Sequence, residues 1–236
     1  VTDASGDGTG FNNGNSGEGD DFSYDGAGNA TRDANRGIGT DGIKYNHLNL
    51  VRQVGVNGKT MRYNYDGAGS KLKMENGLDN TKYAGGAGHP GFEYNNANLL
   101  TRIAVTTDRT EEGQINVTNN GNDFTFEYYL KDHLGNTRMV MNEAGTVVQE
   151  TEYFPFGLAI PKTAGSNKYL YNGKEKQPET GFLDYSARQY DATIGRWMVV
   201  DRFSEKYLEY SPYQYAGDNP IKYVDESRTM MLIINR

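Results

Sequence analysis

Short stretches of alternating apolar and polar residues run through most of the chain, separated by turns rich in Gly, Asp and Asn. Lys71-Leu72-Lys73-Met74-Glu75 and Thr137-Arg138-Met139-Val140-Met141 each follow such a turn. A period of two after a turn signal predicts a half-buried strand. Asn57-Gly58 lies between Val54-Gly55-Val56 and Met61-Arg62-Tyr63, and Asn-Gly between strand-like runs supplies the positive φ angles of a tight hairpin. Glu143-Ala144-Gly145 plays a similar part before Thr146-Val147-Val148-Gln149. One short helix is predicted, from Ser204 as N-cap through Glu205-Lys206-Tyr207-Leu208, about two turns long and ended before Pro212. The expected fold class is all-β, with one face of the strands carrying the Tyr, Phe and Met residues and the other the charges.

The turns belong to a repeat. Tyr24-Asp25-Gly26-Ala27-Gly28-Asn29 recurs as Tyr65-Asp66-Gly67-Ala68-Gly69-Ser70, with Tyr45-Asn46-His47-Leu48-Asn49-Leu50 between them. A later copy runs from Tyr129 through Asp132-His133-Leu134-Gly135-Asn136, and a degenerate one runs from Tyr190-Asp191 to Gly195-Arg196. In each unit the Tyr closes a strand, and the Asp, Gly and Asn residues supply positive φ and local side-chain hydrogen bonds. Hairpins this short bury no core alone and become stable by pairing sideways into a continuing sheet.

Composition narrows the reading. The 236 residues contain 36% hydrophobic residues, 30 Gly, 18 Tyr and no Cys. The absence of Cys excludes a disulfide scaffold, a thiol enzyme and a cysteine-ligated metal. The net charge of −7 argues against a nucleic-acid partner, which calls for a basic face. No run reaches the ~18 apolar residues of a membrane-spanning helix. Disordered chains are poor in aromatics, whereas Tyr recurs here throughout. The chain opens on Val1 and reads as a piece of something longer.

From Tyr129 onward, several motifs follow in order: Asp132-His133-Leu134-Gly135-Asn136-Thr137-Arg138, Tyr153-Phe154-Pro155-Phe156-Gly157, Tyr171-Asn172-Gly173-Lys174-Glu175, Asp184-Tyr185-Ser186-Ala187-Arg188, Gly195-Arg196-Trp197 and Ser211-Pro212-Tyr213-Gln214-Tyr215 with Asn219-Pro220. With the Tyr-Asp turns, this set resembles the bacterial Rhs/YD-repeat family and its repeat-associated core domain. The resemblance implies part of a hollow β-shell, wound from a strip of hairpins, with a core segment curling inward as a plug. On that basis residues 1–20 are a Gly/Asp-rich entry loop and residues 21–125 are hairpin repeats, looser near 83–90 and 106–122. Residues 126–225 are the core domain, and residues 226–236 a short tail. The structural motif residues are Tyr24, Asp25, Gly28, Tyr65, Asp66, Gly69, Tyr129, Asp132, Gly135, Asn136, Arg196, Trp197 and Pro220.

The resemblance also implies a self-cleavage reaction by two aspartates, which fall here on Asp201 and Asp225. Two close carboxylates can share a proton, one acting as acid and one as base. Both positions depart from the family pattern: Arg202 follows Asp201, and Glu226-Ser227-Arg228 follows Asp225. Turn aspartates are therefore the competing reading. Other candidates fail on chemistry. Asp3 to Gly14 opens like a calcium loop but has Gly where a bidentate Glu is needed. Gly86 to Gly91 fits a dinucleotide fingerprint but lacks the preceding strand, and Pro90 obstructs the helix. His47, His89 and His133 lack partners for metal or catalysis, and the sequons at Asn29 and Asn116 read as incidental. No cofactor and no metal are expected.

The leading expectation is a non-enzymatic module, extracellular or at the cell surface, that encloses or displays a C-terminal cargo. Its partners would be the upstream remainder of the same polypeptide, joined by β-pairing, with an enclosed toxin or export machinery. One rival is a surface adhesin stacking sugars on its tyrosines; the other is a self-cleaving toxin carrier. An open sheet edge should make the piece oligomerise or aggregate on its own.

Overall fold

The computed structural model describes residues 20–77, 79–85, 91–107, 110–225 and 232–233. The Asp3–Gly14 and Gly86–Gly91 stretches and His89 thus lie wholly or largely outside it. Fourteen strands come first: β1 (Phe22–Tyr24), β2 (Ala30–Asp33), β3 (Ile43–Tyr45), β4 (Val51–Val56), β5 (Lys59–Tyr65), β6 (Lys71–Asn76), β7 (Asp79–Ala84), β8 (Phe92–Tyr94), β9 (Leu100–Thr107), β10 (Thr110–Thr118), β11 (Asp123–Lys131), β12 (Thr137–Asn142), β13 (Val147–Tyr153) and β14 (Ala159–Thr163). β1 and β2 form a hairpin. β3 to β14 form one twelve-stranded antiparallel sheet, each strand paired with its chain neighbours. Asn57 and Gly58 both have positive φ (48° and 77°), as a type I′ turn between β4 and β5 requires.

This sheet is a wall, and the chain then turns inward to line it. β15 (Glu175–Lys176), β16 (Leu183–Asp184), β17 (Gln189–Asp191) and β18 (Arg196–Trp197) make a small antiparallel sheet. Two-residue strands β19 (Tyr223–Val224) and β20 (Leu232–Ile233) pair near the end, so part of the expected tail is strand. The division drawn at 125/126 falls inside β11. β11 continues the wall across it, paired with β10 on one side and β12 on the other. The stretch 106–122, expected to be loose, holds most of β10, which pairs with both β9 and β11.

Both margins of the wall touch the inward segment. A small cavity is lined by Arg36, just before β3, by Gly157, Leu158 and Ala159 at β14, and by Leu170 and Leu183 of the inward segment. Arg36 donates to both carboxylate oxygens of Asp191 and to the Thr180 carbonyl (2.6 Å). The sheet is therefore curled around the segment that follows it. Its β14 margin carries Pro161 and Lys162, residues that blunt an exposed edge.

The packing differs along the wall. On β3–β7 the inner face is apolar: Ile43, Val54, Met61, Tyr63 and Met74 are buried with Phe182 and Met198 of the inward segment. Removing each such side chain from water contributes about 1.5–3 kcal/mol. A second cluster lies within the inward segment, where Tyr171, Tyr185, Tyr190, Trp197 and Tyr215 pack against Tyr153 and Phe156 of the wall. On β8–β13 the faces are exchanged. Glu93, Arg102, Gln114 and Gln149 are buried on the inside, while Phe92, Phe126 and Tyr128 stand exposed outside. The expected single aromatic face thus holds for half the wall and inverts in the other half, because there the inward segment presents charges and amides.

The two-turn helix expected at Ser204 is a single 3-10 turn, Ser204–Lys206, without a side-chain cap. Asp201 Oδ1 accepts from the Phe203 amide (2.7 Å), closing the chain into an Asx turn before helical bonding can start. Among the described residues no helix is long and apolar enough to cross a membrane.

Candidate functional site

One turn recurs along the wall. At 25–29, 46–50, 66–70, 95–99, 132–136, 142–146 and 154–158 the first residue exchanges backbone bonds with the fourth and fifth. The fourth residue is always left-handed: Gly28, Asn49, Gly69, Asn98, Gly135, Gly145 and Gly157. In the first six, the leading Asp or Asn Oδ1 accepts two amides, as Asp25 does from Ala27 and Asn29 (both 2.9 Å) and Asp132 from Leu134 and Asn136 (3.0 and 3.1 Å). The register slips by one residue beside most of these turns, as at 23/24, 44/45 and 64/65, which is the bulge this loop length brings. Burial pushes the Asp25 carboxyl up, but the bonds from Asn29 and Ala27 outweigh it and hold it below its ordinary value. Asp66, capped by Ser70 and Ala68, is lowered in the same sense. His47 and His133 are exposed second residues of such turns.

The strand-closing tyrosines tie one hairpin to the next. Tyr45 Oη donates to the Ala30 carbonyl (2.7 Å), Tyr65 Oη to Val51 (2.8 Å) and Tyr153 Oη to Thr137 (2.8 Å). The acceptors directly follow the turns 25–29, 46–50 and 132–136, so the bonds form rungs between turns at the same end of the wall. Tyr24 occupies the same place in its own unit but is 52% exposed, its ring 5.5 Å from Tyr213. Tyr129 does not match: it sits three residues before Asp132, and its hydroxyl donates inward to Gln114 (2.8 Å) and Asn167 (3.1 Å). The units at Tyr94-Asn95 and Tyr153-Phe154 are further copies of the turn that the Tyr-Asp spelling concealed. Gly28 serves an additional purpose, since a Cβ there would lie 2.7 Å from Val200 and 2.9 Å from the Tyr213 hydroxyl.

Asp201 and Asp225 are brought together by a residue outside the predicted set. Arg188 donates through Nη1 to Asp201 Oδ2 (2.5 Å) and through Nη2 to Asp225 Oδ1 (3.2 Å). Its guanidinium lies 3.9 Å from the Trp197 ring centre, which fixes its plane. Burial raises the Asp225 carboxyl to about 6; Arg188 opposes the shift and Asp201 adds to it. Asp201 is already committed on both oxygens, one to the Phe203 amide and one to Arg188. Asp201 and Arg188, but not Asp225, border a cavity of about 540 Å³, lined by Arg188, Asp201 and Arg202 on one side and by the turn residues Asn29, Asn49 and Gly69 on the other. Chemically, the site offers a buried acid of raised pKa, Asp225, beside a second carboxyl group held by the same arginine. Of the remaining predicted residues, Arg196 pairs with Asp218 at the surface (2.7 Å). Trp197 is buried among tyrosines, and Pro220 is buried.

The largest feature that the sequence reading missed is a buried ionic seam between wall and inward segment. Lys71 Nζ meets Glu175 (2.5 Å) and Asp184 (2.6 Å). Lys168 Nζ meets Glu175 and Glu93 (both 2.7 Å). Tyr83 donates to Glu175 (2.9 Å) and Tyr169 to Glu93 (2.6 Å). Arg102 reaches Glu93, Glu111 and Gln114. Burial would raise the Glu175 carboxyl, yet Lys71 and Lys168 hold it far below the ordinary range. Burial would lower Lys71, yet Asp184 and Glu175 raise it well above. Widely spaced single charges such as Lys71, Glu93 and Arg102 leave no spacing signal that could have announced the seam.

Residues 108–221 match the Teneurin YD-shell family. The chain is 42% identical over 106 residues to Salivary gland surface protein 1 of Aedes aegypti, covering 42% of this chain and 3% of that protein. It is 24% identical over 215 residues to Teneurin-3 of Danio rerio, covering 84% and 8%. To the tRNA3(Ser)-specific nuclease WapA of Bacillus spizizenii it is 25% identical over 225 residues, covering 91% and 9%. The chain thus spans under a tenth of the length of these three relatives. Its fold is shared with the crystal structure of TcdB2-TccC3 without the hypervariable C-terminal region, at TM-score 0.64, 21% identity and coverage of 79% of this chain and 10% of the other. The Photorhabdus luminescens Tc holotoxin pore shares it too, at TM-score 0.64, 17% identity and coverage of 90% and 11%.

Proposed function

From a chain that belongs to the Rhs/YD-repeat family, we propose a structural role: a section of shell wall together with the segment that lines it, extracellular or at the cell surface, enclosing or presenting a cargo. The supporting observation is the twelve-stranded sheet curled around the polypeptide that follows it, with both margins in contact with that polypeptide. The buried surface joins wall and lining through the apolar cluster and the ionic seam. The exposed Tyr24, which makes no such rung among the described residues, unlike Tyr45 and Tyr65, supports pairing with further wall of the same polypeptide. Electron microscopy of the native polypeptide tests the proposal. A hollow particle with a continuous thin wall is expected; a solid particle or a string of separate domains would refute it.

A second reading, self-cleavage near Asp225, is supported by the Arg188-bridged carboxylates and the raised Asp225. Against it stands the role of Asp201 in its own turn. The mass of the native polypeptide decides. A cut just beyond Asp225 that disappears in Asp225→Asn would establish processing, and an uncut chain in both would dismiss it.

A further inference from the structure

The small cavity where the two margins of the wall meet the inward segment holds a cation without a partner. It is about 90 Å³ in volume. Its other polar side chains are committed. Tyr153 and Tyr171 donate to the Thr137 and Pro155 carbonyls (2.8 and 2.9 Å). Arg36 donates to Asp191, to the Thr180 carbonyl and to Thr193 Oγ1, and Thr193 donates in turn to Asp191. Lys176 of β15 also lines the cavity, yet no ion pair or hydrogen bond holds its Nζ among the described residues. Asp33 and Asp191 both pair with Arg36, and neither lines the cavity. Burial pushes the Lys176 ammonium below its ordinary value, and Arg36 pushes it the same way. A charge taken partly out of water and left unpaired is costly, so the cavity favours an anion.

The rest of the lining selects among anions. Leu158 and Ala159 come from the wall, and Leu170, Leu183 and Ala192 from the inward segment. Phosphate or sulfate calls for several donors, and a sugar for several donors and acceptors. This cavity offers one free donor group in an apolar surround, the form of a site that orients an apolar molecule by a single polar contact. One water needs ~10–15 Å³, so the space holds about six, comparable to an acid of about five carbons. We propose that the cavity binds a short aliphatic monocarboxylate, its carboxylate on Lys176 Nζ and its tail among Leu158, Leu170 and Leu183. The hydrogen bond is charge-assisted, the stronger kind. A ligand seated there touches the β14 margin and the inward segment at once, so it closes the wall more firmly onto its lining. The site is the same whether or not the wall encloses a cargo.

Calorimetric titration of the chain with pentanoate at pH 7 and constant ionic strength tests the proposal, with phosphate and pentanol as comparison ligands. One pentanoate per chain is expected, with a dissociation constant of about a millimolar, in keeping with a ligand of about seven non-hydrogen atoms. Phosphate and pentanol should each bind at least tenfold more weakly. Lys176→Met keeps the aliphatic stem and removes the charge, so it should weaken pentanoate at least tenfold. Ala159→Leu fills the cavity from the β14 side and leaves Lys176 in place, and it should weaken binding as much. Circular dichroism checks that both variants fold. Arg36, Tyr153 and Tyr171 are all raised and Asp33 is raised only to about 6, so between pH 7 and 9.5 Lys176 is the group at the cavity that loses its proton. Affinity should fall over that range while the ligand stays ionised. No saturable heat up to ~50 mM pentanoate would overturn the proposal. So would binding that survives Lys176→Met, or pentanol or phosphate binding as tightly as pentanoate.

Discussion

Lys71 is the member of the seam whose loss should cost most. Its Nζ is the cation shared by Glu175 and Asp184, and its side chain is 9% exposed. In the intact seam, Lys71, Lys168 and Arg102 face Glu175, Asp184, Glu93 and Glu111. Lys71→Met leaves two cations for four carboxylates and strips Asp184 of its ion pair. Removing one partner of a buried pair costs about 3–5 kcal/mol, which at ~2–4 °C per kcal/mol for a chain of this size lowers the melting temperature by roughly 6–20 °C. Glu175→Gln is milder, because Lys71 keeps Asp184 and Lys168 keeps Glu93; about 1–2 kcal/mol is expected, in the range of a hydrogen bond to a charged group. The double variant Lys71→Met/Glu175→Gln should be more stable than Lys71→Met alone, since with Lys71 gone four carboxylates share two cations and the second change removes one of those negative charges, the one nearest Asp184 across the lost lysine. Urea unfolding of the four proteins gives the coupling directly. A Lys71→Met cost below ~1 kcal/mol, or a double variant less stable than that single one, would refute the reasoning. Because the Glu175 carboxyl is held far below its unfolded value, its contribution is complete above the unfolded pKa of ~4.3. These differences should therefore not vary between pH 6 and 8.

Tyr65→Phe removes one rung and leaves the Val51 carbonyl without it, so a loss of about 1 kcal/mol is expected; Tyr24→Phe should cost close to nothing, both read by chemical unfolding. Gly28→Ala and Gly135→Ala share the positive-φ strain of about 1 kcal/mol. Only Gly28→Ala meets Val200 and Tyr213, so its melting temperature should fall the further of the two. Asp33 and Asp225 are both raised to about 6, chiefly by burial, so the folded state takes up protons that the unfolded state does not. The stability they cost at neutral pH returns as pH falls through 6 toward ~4, by roughly 1–2 kcal/mol each after solvent screening. Asp225→Asn should flatten that rise in a pH series of melting curves.

The turns were legible because their chemistry is local. Asp25, Asp66 and Asp132 cap amides two and four residues on, and Gly28, Gly69 and Gly135 hold the left-handed position, so the motif carries its own geometry. The Tyr94-Asn95 unit carries the same spelling as Tyr45-Asn46, with Asn replacing both the capping Asp and the left-handed Gly, and was legible from that copy rather than from the Tyr-Asp ones. Period-two alternation located β6 and β12 but says only that two faces differ. Which face turns inward at β8–β13 depends on Lys168, Tyr169 and Glu175, about 15 to 80 residues further along the chain. For the same reason Asp201 and Asp225 could be named, while Arg188 between them could not. Ser204 carried a valid helix-start signal, and the Asp201 side chain three residues earlier diverted it.

Each rung and each capped turn binds a hairpin only to its immediate neighbour. The wall can therefore gain or lose length in whole hairpins, two strands at a time, with every remaining tie intact. An insertion or deletion of a single strand would reverse the chain direction at the new seam and leave a tyrosine without its carbonyl. Variation in the circumference of such a wall should accordingly come in steps of about twenty residues, the spacing from Tyr24 to Tyr45 and from Tyr45 to Tyr65.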